Sequence, residues 1–337
     1  MNDITREIRS AVAGLFEEKR IDRFIGHEKG SVPPRSRPAF LSRAEDAERL
    51  VWDGFCSNNL AVYLPEIYRR QGPKKGNEPP LPRTGLLLKG CDMRSLIALA
   101  KERQVPRENV VVVGVPCAGM VSLRKLSAAV GGEEILDAME EGDGLRVTAG
   151  VRTVTVRRED VLEDSCLSCR HPVPEGADVT IKAKARPAGD GGDAVVAAFA
   201  ALARTERWAA FRVEMSRCIR CYACRQACPT CYCKVCFAED NNPGWLGGGS
   251  EVTDAMLFHL IRIYHQAGRC VECEACVRAC PMGIDLRTFT RKMAADVRQM
   301  FGFTPGFDIK EKPPLCTFRE DDGQAFITDP DAKERSS

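Results

Sequence analysis

The sequence predicts an α/β N-terminal domain with a parallel-type sheet, followed by a mainly α-helical domain rich in cysteine. Three observations carry this. Short apolar, strand-like runs alternate with helical segments in the first 182 residues. The strand signal stops at Lys182 to Asp193 (KAKARPAGDGGD), a charged stretch that bears Pro and Gly and lacks large apolar residues. The chain also holds 17 cysteines in 337 residues, with the densest groups after that stretch.

In chain order, residues 2–19 form an amphipathic helix, and Gly30 to Pro38 is turn-rich. Residues 44–70 are helical in part, with an interruption near Asn58-Asn59, and a Pro- and Gly-rich loop runs from Gly72 to Pro82. Leu86-Leu87-Leu88 is a short buried strand that leads through Lys89-Gly90-Cys91 into a helix capped by Asp92. Val110 to Val115 is a second apolar, β-branched strand and ends in the turn Pro116-Cys117-Ala118-Gly119. Strand, helix and strand with connections of this length predict a parallel βαβ unit. Val147 to Val156 and Val179 to Lys182 add strand-like segments, so residues 1–182 read as one domain and 183–193 as a linker. Within 194–305, Ala194 to Arg212 and Glu251 to Gly268 are helical. In the second of these Leu257, Leu260, Ile261 and Tyr264 form one apolar stripe, and Gly268 is placed to stop the helix. A last helix runs from about Leu286 to Phe301, and residues 306–337 form a tail.

Bulk composition excludes several function classes. Hydrophobic residues make up 44% and charged residues 28%, enough apolar material for sizeable cores and too much for wholesale disorder. Lysine plus arginine total 49 against 47 acids, which gives no basic field for nucleic acid. The first twenty residues carry no signal-peptide hydrophobic core, and the longest apolar run, Ala194 to Ala203, is about half a membrane span. A cytoplasmic, reducing location follows as the expectation, so the thiols point to metal rather than to disulfides. No hydrolase elbow, phosphate loop or paired-carboxylate signature is present.

The strongest motif occurs twice. Cys218, Cys221, Cys224 and Cys228, followed by Pro229, have the spacing C-x2-C-x2-C-x3-C-P, and Cys270, Cys273, Cys276 and Cys280, followed by Pro281, repeat it. The two-residue gaps wrap three thiolates around one face of a cubane, while the following turn carries the fourth cysteine away. In two-cluster ferredoxins that fourth cysteine ligates the other cluster. The expected sets are therefore Cys218, Cys221, Cys224 and Cys280 for one [4Fe-4S] cluster, and Cys270, Cys273, Cys276 and Cys228 for the second. Structural zinc usually takes paired C-x2-C knuckles or mixes cysteine with histidine, which this doubled run does not resemble. Cys231, Cys233 and Cys236 follow the first motif and read either as a further metal site, completed by Cys316 or Cys56, or as small buried hydrophobes.

The first domain carries a sparser set. Cys91 and Cys117 each follow a strand, on the same edge of a parallel sheet, and Cys166 and Cys169 form a C-x2-C pair. Together they make a candidate third quartet. His259 and His265 precede the second motif and read as solvated or core residues; His27 and His171 have no ligand-like company. Arg217, Arg220, Arg225 and Arg269 crowd the motifs, and are expected to pair at the surface with Glu272 and Glu274 or to raise a cluster's potential.

The doubled motif, with 41 residues and a helix between Cys228 and Cys270, resembles the helical variant of the two-[4Fe-4S] ferredoxin domain found in the small subunits of heterodisulfide and fumarate reductases, over about residues 205–300. The segments KGCD, GVPC and CLSC, followed by Ala177-Asp178-Val179, resemble the beta-subunit family of deazaflavin (coenzyme F-420)-reducing hydrogenases and formate dehydrogenases, over about residues 45–182. That second resemblance implies an α/β flavin domain, a third cluster on Cys91, Cys117, Cys166 and Cys169, and partner subunits of a redox complex. In familiar members the ferredoxin cysteines lie toward the N-terminus, whereas here they follow the α/β domain. No G-x-G-x-x-G follows a strand, so FAD has no fingerprint in the chain. The resulting expectation is an electron-transfer subunit of a hydrogenase-, formate dehydrogenase- or heterodisulfide reductase-type complex. The alternative is a flavin-dependent oxidoreductase that acts on a diffusible carrier such as a deazaflavin.

Overall fold

The computed structural model describes residues 2–69, 80–247, 249 and 251–314. Cys316, the tail beyond it and most of the expected loop from Gly72 lie outside these residues. The chain begins with α1 (Asp3–Glu17), whose N-cap Asn2 accepts from the Thr5 amide and whose Ile8, Val12 and Leu15 are buried. It continues through β1 (Arg23–Lys29), β2 (Ser36–Leu41), two short 3₁₀ turns, and the single-turn helix α2 (Leu64–Ile67). Strand β3 (Thr84–Leu88) leads into α3 (Gly90–Lys101), and β4 (Val110–Gly114) into α4 (Leu123–Ala129). A three-stranded unit follows, made of β5 (Ile135–Glu141), β6 (Gly144–Ala149) and β7 (Arg152–Arg157), and then α5 (Asp164–Leu167) and β8 (Val179–Thr180).

The main sheet has the order β2-β1-β3-β4-β8. Pairs β1/β3, β3/β4 and β4/β8 are parallel, and only β1/β2 is antiparallel. The predicted parallel βαβ unit is β3-α3-β4. Every residue of β3 is buried, as expected for a parallel strand covered on both faces. The sheet is thus mixed and mostly parallel, and the antiparallel edge strand β2 was not legible because its exposed and buried positions lack a clean apolar alternation. The segment read as one strand from Val147 to Val156 is instead a hairpin. Gly150, at φ +53°, turns β6 back onto β7, and the meander β5-β6-β7 closes its own small core with Leu126, Val130 and Phe55.

The second part is helical. It comprises α6 (Asp193–Ala201), α7 (Arg204–Met215), the short helices α8 (Ala223–Gln226) and α10 (Ala275–Ala279), α9 (Val252–His265), and α11 (Leu286–Phe301). Helix α11 matches the expected bounds: Asp285 caps it through the amides of Arg287 and Thr288, and Gly302 ends it at φ +62°. Phe211, Met215, Phe258, Ile263, Leu286 and Phe289 form its core with Cys224 and Cys280.

Helix α9 corrects the sequence reading. The stripe Leu257, Leu260 and Tyr264 is 40%, 36% and 60% exposed, while the buried face holds Ala255, Phe258, His259, Arg262 and Ile263. A period-3.6 apolar pattern marks a core face only when the facing core is itself apolar. Here the facing surface consists of cysteine thiols. Among the described residues no helix is long and apolar enough to cross a membrane.

Candidate metal centres

The two cysteine motifs adopt the same backbone. Arg220 and Tyr222 have φ of 52° and 58°, and Glu272 and Glu274, at the equivalent positions of the second motif, have φ of 60° and 56°. Left-handed conformations at four non-glycine residues cost about 1–3 kcal/mol each and persist only where the surroundings impose them. Each pair reverses the chain twice within one C-x2-C-x2-C run, which turns three thiols toward one point. It also aims backbone amides inward: the Arg220 N–H lies 3.4 Å from Cys218 Sγ. Helices α8 and α10 then start at the third cysteine of each run, and their last turns deliver Cys228 and Cys280, whose amides bond Arg225 O and Val277 O.

The crossed quartets come together. Cys218, Cys221, Cys224 and Cys280 line one small cavity, walled by Phe258, His259 and Leu286. Cys228, Cys270, Cys273 and Cys276 line a second, with Thr230, Arg262 and Gln266. Among the described residues no three His, Cys, Asp or Glu side chains converge tightly enough to hold a single metal ion. Thiols that ligate separate corners of a cubane stand farther apart than thiols that share one ion. A cavity ringed by four thiols is therefore the arrangement that fits a cluster.

Electrostatics agree with that fit. Burial pushes the Cys270 thiol well above its ordinary range, raises Cys218, Cys224 and Cys273, and pushes Cys276 up to about 12. Without a metal these thiols stay protonated; a bound cation deprotonates them outright. Cys231 lies against Cys228 and donates to it, which holds Cys228 low and Cys231 high. Cys233 is exposed and Cys236 interacts with Arg225, so the three cysteines after the first motif do not line one cavity among the described residues.

The third quartet also converges. Cys91 sits in the first turn of α3, Cys117 after β4, Cys166 in α5 and Cys169 just beyond it, and all four line one cavity of about 420 Å³. The amides of Gly119 and Met120 point at Cys117 Sγ (3.4 Å) and Cys166 Sγ (3.3 Å). Burial raises Cys91 and Cys169 and pushes Cys117 up to about 12. Arg94, Arg278 and Arg291 share the lining. So does Cys273, which belongs to the second quartet as well, so the second and third cavities adjoin. Asp92 lies inside α3 rather than before it: its carboxylate accepts the Lys89 amide at 3.4 Å and pairs with the buried Lys89 ammonium at 2.8 Å.

Some residues set aside in the sequence prove to be part of these centres. His259 is 1% exposed, and its Nε2 lies 3.3 Å from Cys218 Sγ. Arg262 is 4% exposed and bonds Cys224 O. The four arginines expected to pair with Glu272 and Glu274 pair elsewhere: Arg217 with Glu214, Arg220 with Asp254, Arg225 with Glu239, and Arg269 with Glu102. Glu272 instead meets Arg298, and Glu274 meets Arg287 and Arg291. His171 lines the third cavity against Phe307, His265 lies against Phe237, and His27 is buried in β1.

A helical unit with two mutually crossed C-x2-C-x2-C-x3-C-P loops defines an iron–sulfur protein of the two-cluster class, and residues 214–284 match the family model of the 4Fe-4S dicluster domain. Residues 82–216 belong to the C-terminal family of coenzyme F420 hydrogenase/dehydrogenase beta subunits. Among curated relatives, the F420-dependent formate dehydrogenase subunit beta of Methanocaldococcus jannaschii is 34% identical over 110 residues, which is 33% of this chain and 27% of that protein. The F420-dependent formate dehydrogenase 1 subunit beta of Methanococcus maripaludis is 22% identical across 92% of this chain and 93% of that protein. The chain thus spans about a quarter of one relative's length and nearly all of the other's. A chain of the xenon-derivatised F420-reducing [NiFe] hydrogenase complex from Methanosarcina barkeri covers 52% of this chain, and 65% of itself, at 20% identity and a TM-score of 0.39.

Proposed function

We propose that the chain is an electron-relay subunit of a cytoplasmic hydrogenase- or formate dehydrogenase-type complex, with three [4Fe-4S] clusters held by the three cysteine quartets. The observation that carries this reading is Cys273, which lines both the second and the third cavity, while Arg262, in the lining of the second, bonds the backbone at Cys224 of the first. The three quartets therefore stand in series across the junction of the two domains. When bound, the clusters supply one-electron chemistry. The protein's own part is to fix spacing, exclude water and set the local charge. Phe258, Ile284 and Leu286 wall the first cavity with apolar surface, and Arg94, Arg278 and Arg291 surround the third with cationic groups. The names of the relatives support partner subunits of this kind. The exposed stripe Leu257, Leu260 and Tyr264 is the kind of apolar surface that a subunit contact would cover.

A second reading is a flavin-dependent oxidoreductase that acts on a deazaflavin carrier. The size of the third cavity, about 420 Å³, favours it, since that volume falls in the range of small-molecule pockets. Iron, sulfide and flavin analysis of anaerobically purified protein separates the two. About twelve irons without flavin supports the relay with three cubanes, on four irons per cluster. About eight irons would leave Cys91, Cys117, Cys166 and Cys169 as structural thiols, and stoichiometric flavin would favour the second reading. The crossed ligation has its own test. Cys280→Ser should perturb the same cluster signal as Cys218→Ser, and perturbation of the signal lost in Cys276→Ser would overturn it.

A further inference from the structure

Helix α9 turns a polar face toward the two motif cavities. His259, Arg262 and Gln266 follow one another at helical spacing, and their exposures are 1%, 4% and 4%. The central residue is the unusual one. Arg262 Nη2 donates to Cys224 O at 3.1 Å, but its Nε and Nη1 are buried with no hydrogen-bond partner. No carboxylate pairs with it among the described residues; its charge is instead compensated by Cys276, Cys228, Cys231 and Cys224. An unpaired guanidinium in a protein interior is strongly unfavourable, so its retention there requires negative charge from another source. A purely structural role, capping one carbonyl, would use one N–H group and leave the others orphaned.

The position of the residue identifies that source. Cys224 belongs to the first quartet, and Cys228 and Cys276 to the second. We propose that Arg262 is a shared counter-charge for both clusters of the dicluster domain, an inference that rests on the crossed ligation above. A cluster on four thiolates is anionic and becomes more so on reduction, and nearby charge and hydrogen bonds to its sulfurs set its potential. One fixed cation between two such groups stabilises the reduced form of each. His259 differs, because its ring contacts only Cys218 and so belongs to the first cluster alone.

The test is an EPR-monitored redox titration of the full chain, purified without oxygen, in wild-type, Arg262→Gln, Arg262→Lys and His259→Leu forms. Two [4Fe-4S] signals in the wild type are the precondition, and their absence would overturn the ligation reading before any variant is read. In Arg262→Gln, the ratio of reduced to oxidised protein at fixed potential should fall tenfold or more for both clusters, about 59 mV for a one-electron couple. His259→Leu should lower one of the two. A shift of a single cluster, or of neither, in Arg262→Gln protein that keeps its iron would overturn the shared role. If the neutral variant loses its iron, Arg262→Lys decides. Iron retained with both potentials within about threefold of wild type supports the role of charge. Iron lost, or either potential displaced tenfold, overturns it.

Discussion

A Cβ placed on Gly90 would lie 2.0 Å from the carbonyl oxygen of His171 and 3.0 Å from that of Val173. Gly90 opens α3 directly beside Cys91, and His171 follows Cys169, so this close approach of two backbones sets the distance between two members of the third quartet. Gly90→Ala must push the loop away. It should cost the protein about four of its twelve irons while the two dicluster signals persist, as read by iron analysis and EPR; full iron content would show that the third quartet tolerates the displacement. His27 offers a test of a different kind. Both ring nitrogens are buried without partners, and burial, with a smaller effect of Lys89, holds its pKa well below 6.5. Above pH 6.5 the imidazole is neutral in the folded and unfolded chain and carries no linkage. Below it the unfolded chain takes up a proton that the native state refuses, so stability falls as pH falls, at up to about 1.4 kcal/mol per unit. His27→Leu should remove that slope between pH 7.5 and 5.5, measured as the difference between urea midpoints of the two proteins. Parallel midpoints would show that His27 is protonated in the fold.

At the scale of elements, what was legible in the sequence followed the kind of burial each element has. Strands β3 and β4 are buried in aliphatic surroundings and announce themselves as apolar runs, and α11 carries its cap and stop in Asp285 and Gly302. The C-P runs were legible because ligand spacing is a local property, and the crossing of the fourth cysteine follows from that spacing. The orientation of α9 was not, since its buried face owes its composition to thiols distant in sequence. Nor were the left-handed turns at Arg220, Tyr222, Glu272 and Glu274, for which no residue type gives notice. The stretch 183–193 has a linker's composition, yet it is fastened: the amides of Arg186, Gly189 and Gly191 donate to Cys117 O, Cys169 O and Ser168 O. Those acceptors belong to the third quartet and its loop. Trypsin should therefore spare Lys182 and Lys184 in iron-loaded protein and cut there at least about tenfold faster once a chelator has removed the iron, because cleavage follows the local opening of the backbone. Equal rates would mean that the segment is held without help from the thiols.

At the scale of the whole molecule, the two domains are joined through the residues between the cysteines rather than through a broad apolar face. Glu274 accepts the Ser165 amide at 3.0 Å, Arg278 bridges Cys273 O and Ser57 O at 2.8 and 3.0 Å, and Arg291 reaches Ser168 Oγ at 2.8 Å. Arg94 is the deepest of these links. From α3 it donates to Val271 O at 3.1 Å and twice to Pro305 O at 3.3 and 3.0 Å, and its guanidinium covers the Phe307 ring at 4.9 Å. Such a junction is rigid because each bond is directional and buried. It can also be broken locally, because little apolar area backs it. Arg94→Met keeps much of the side-chain volume but leaves two buried carbonyls without donors, which should cost about 3 kcal/mol. If the junction is a separable unit, hydrogen exchange in that variant should quicken at residues 270–279 and 303–307 and stay unchanged in β3 and β4. A uniform rise across both domains would instead place Arg94 in a single cooperative core. The relay would then depend on global stability rather than on a local hinge between the second and third quartets.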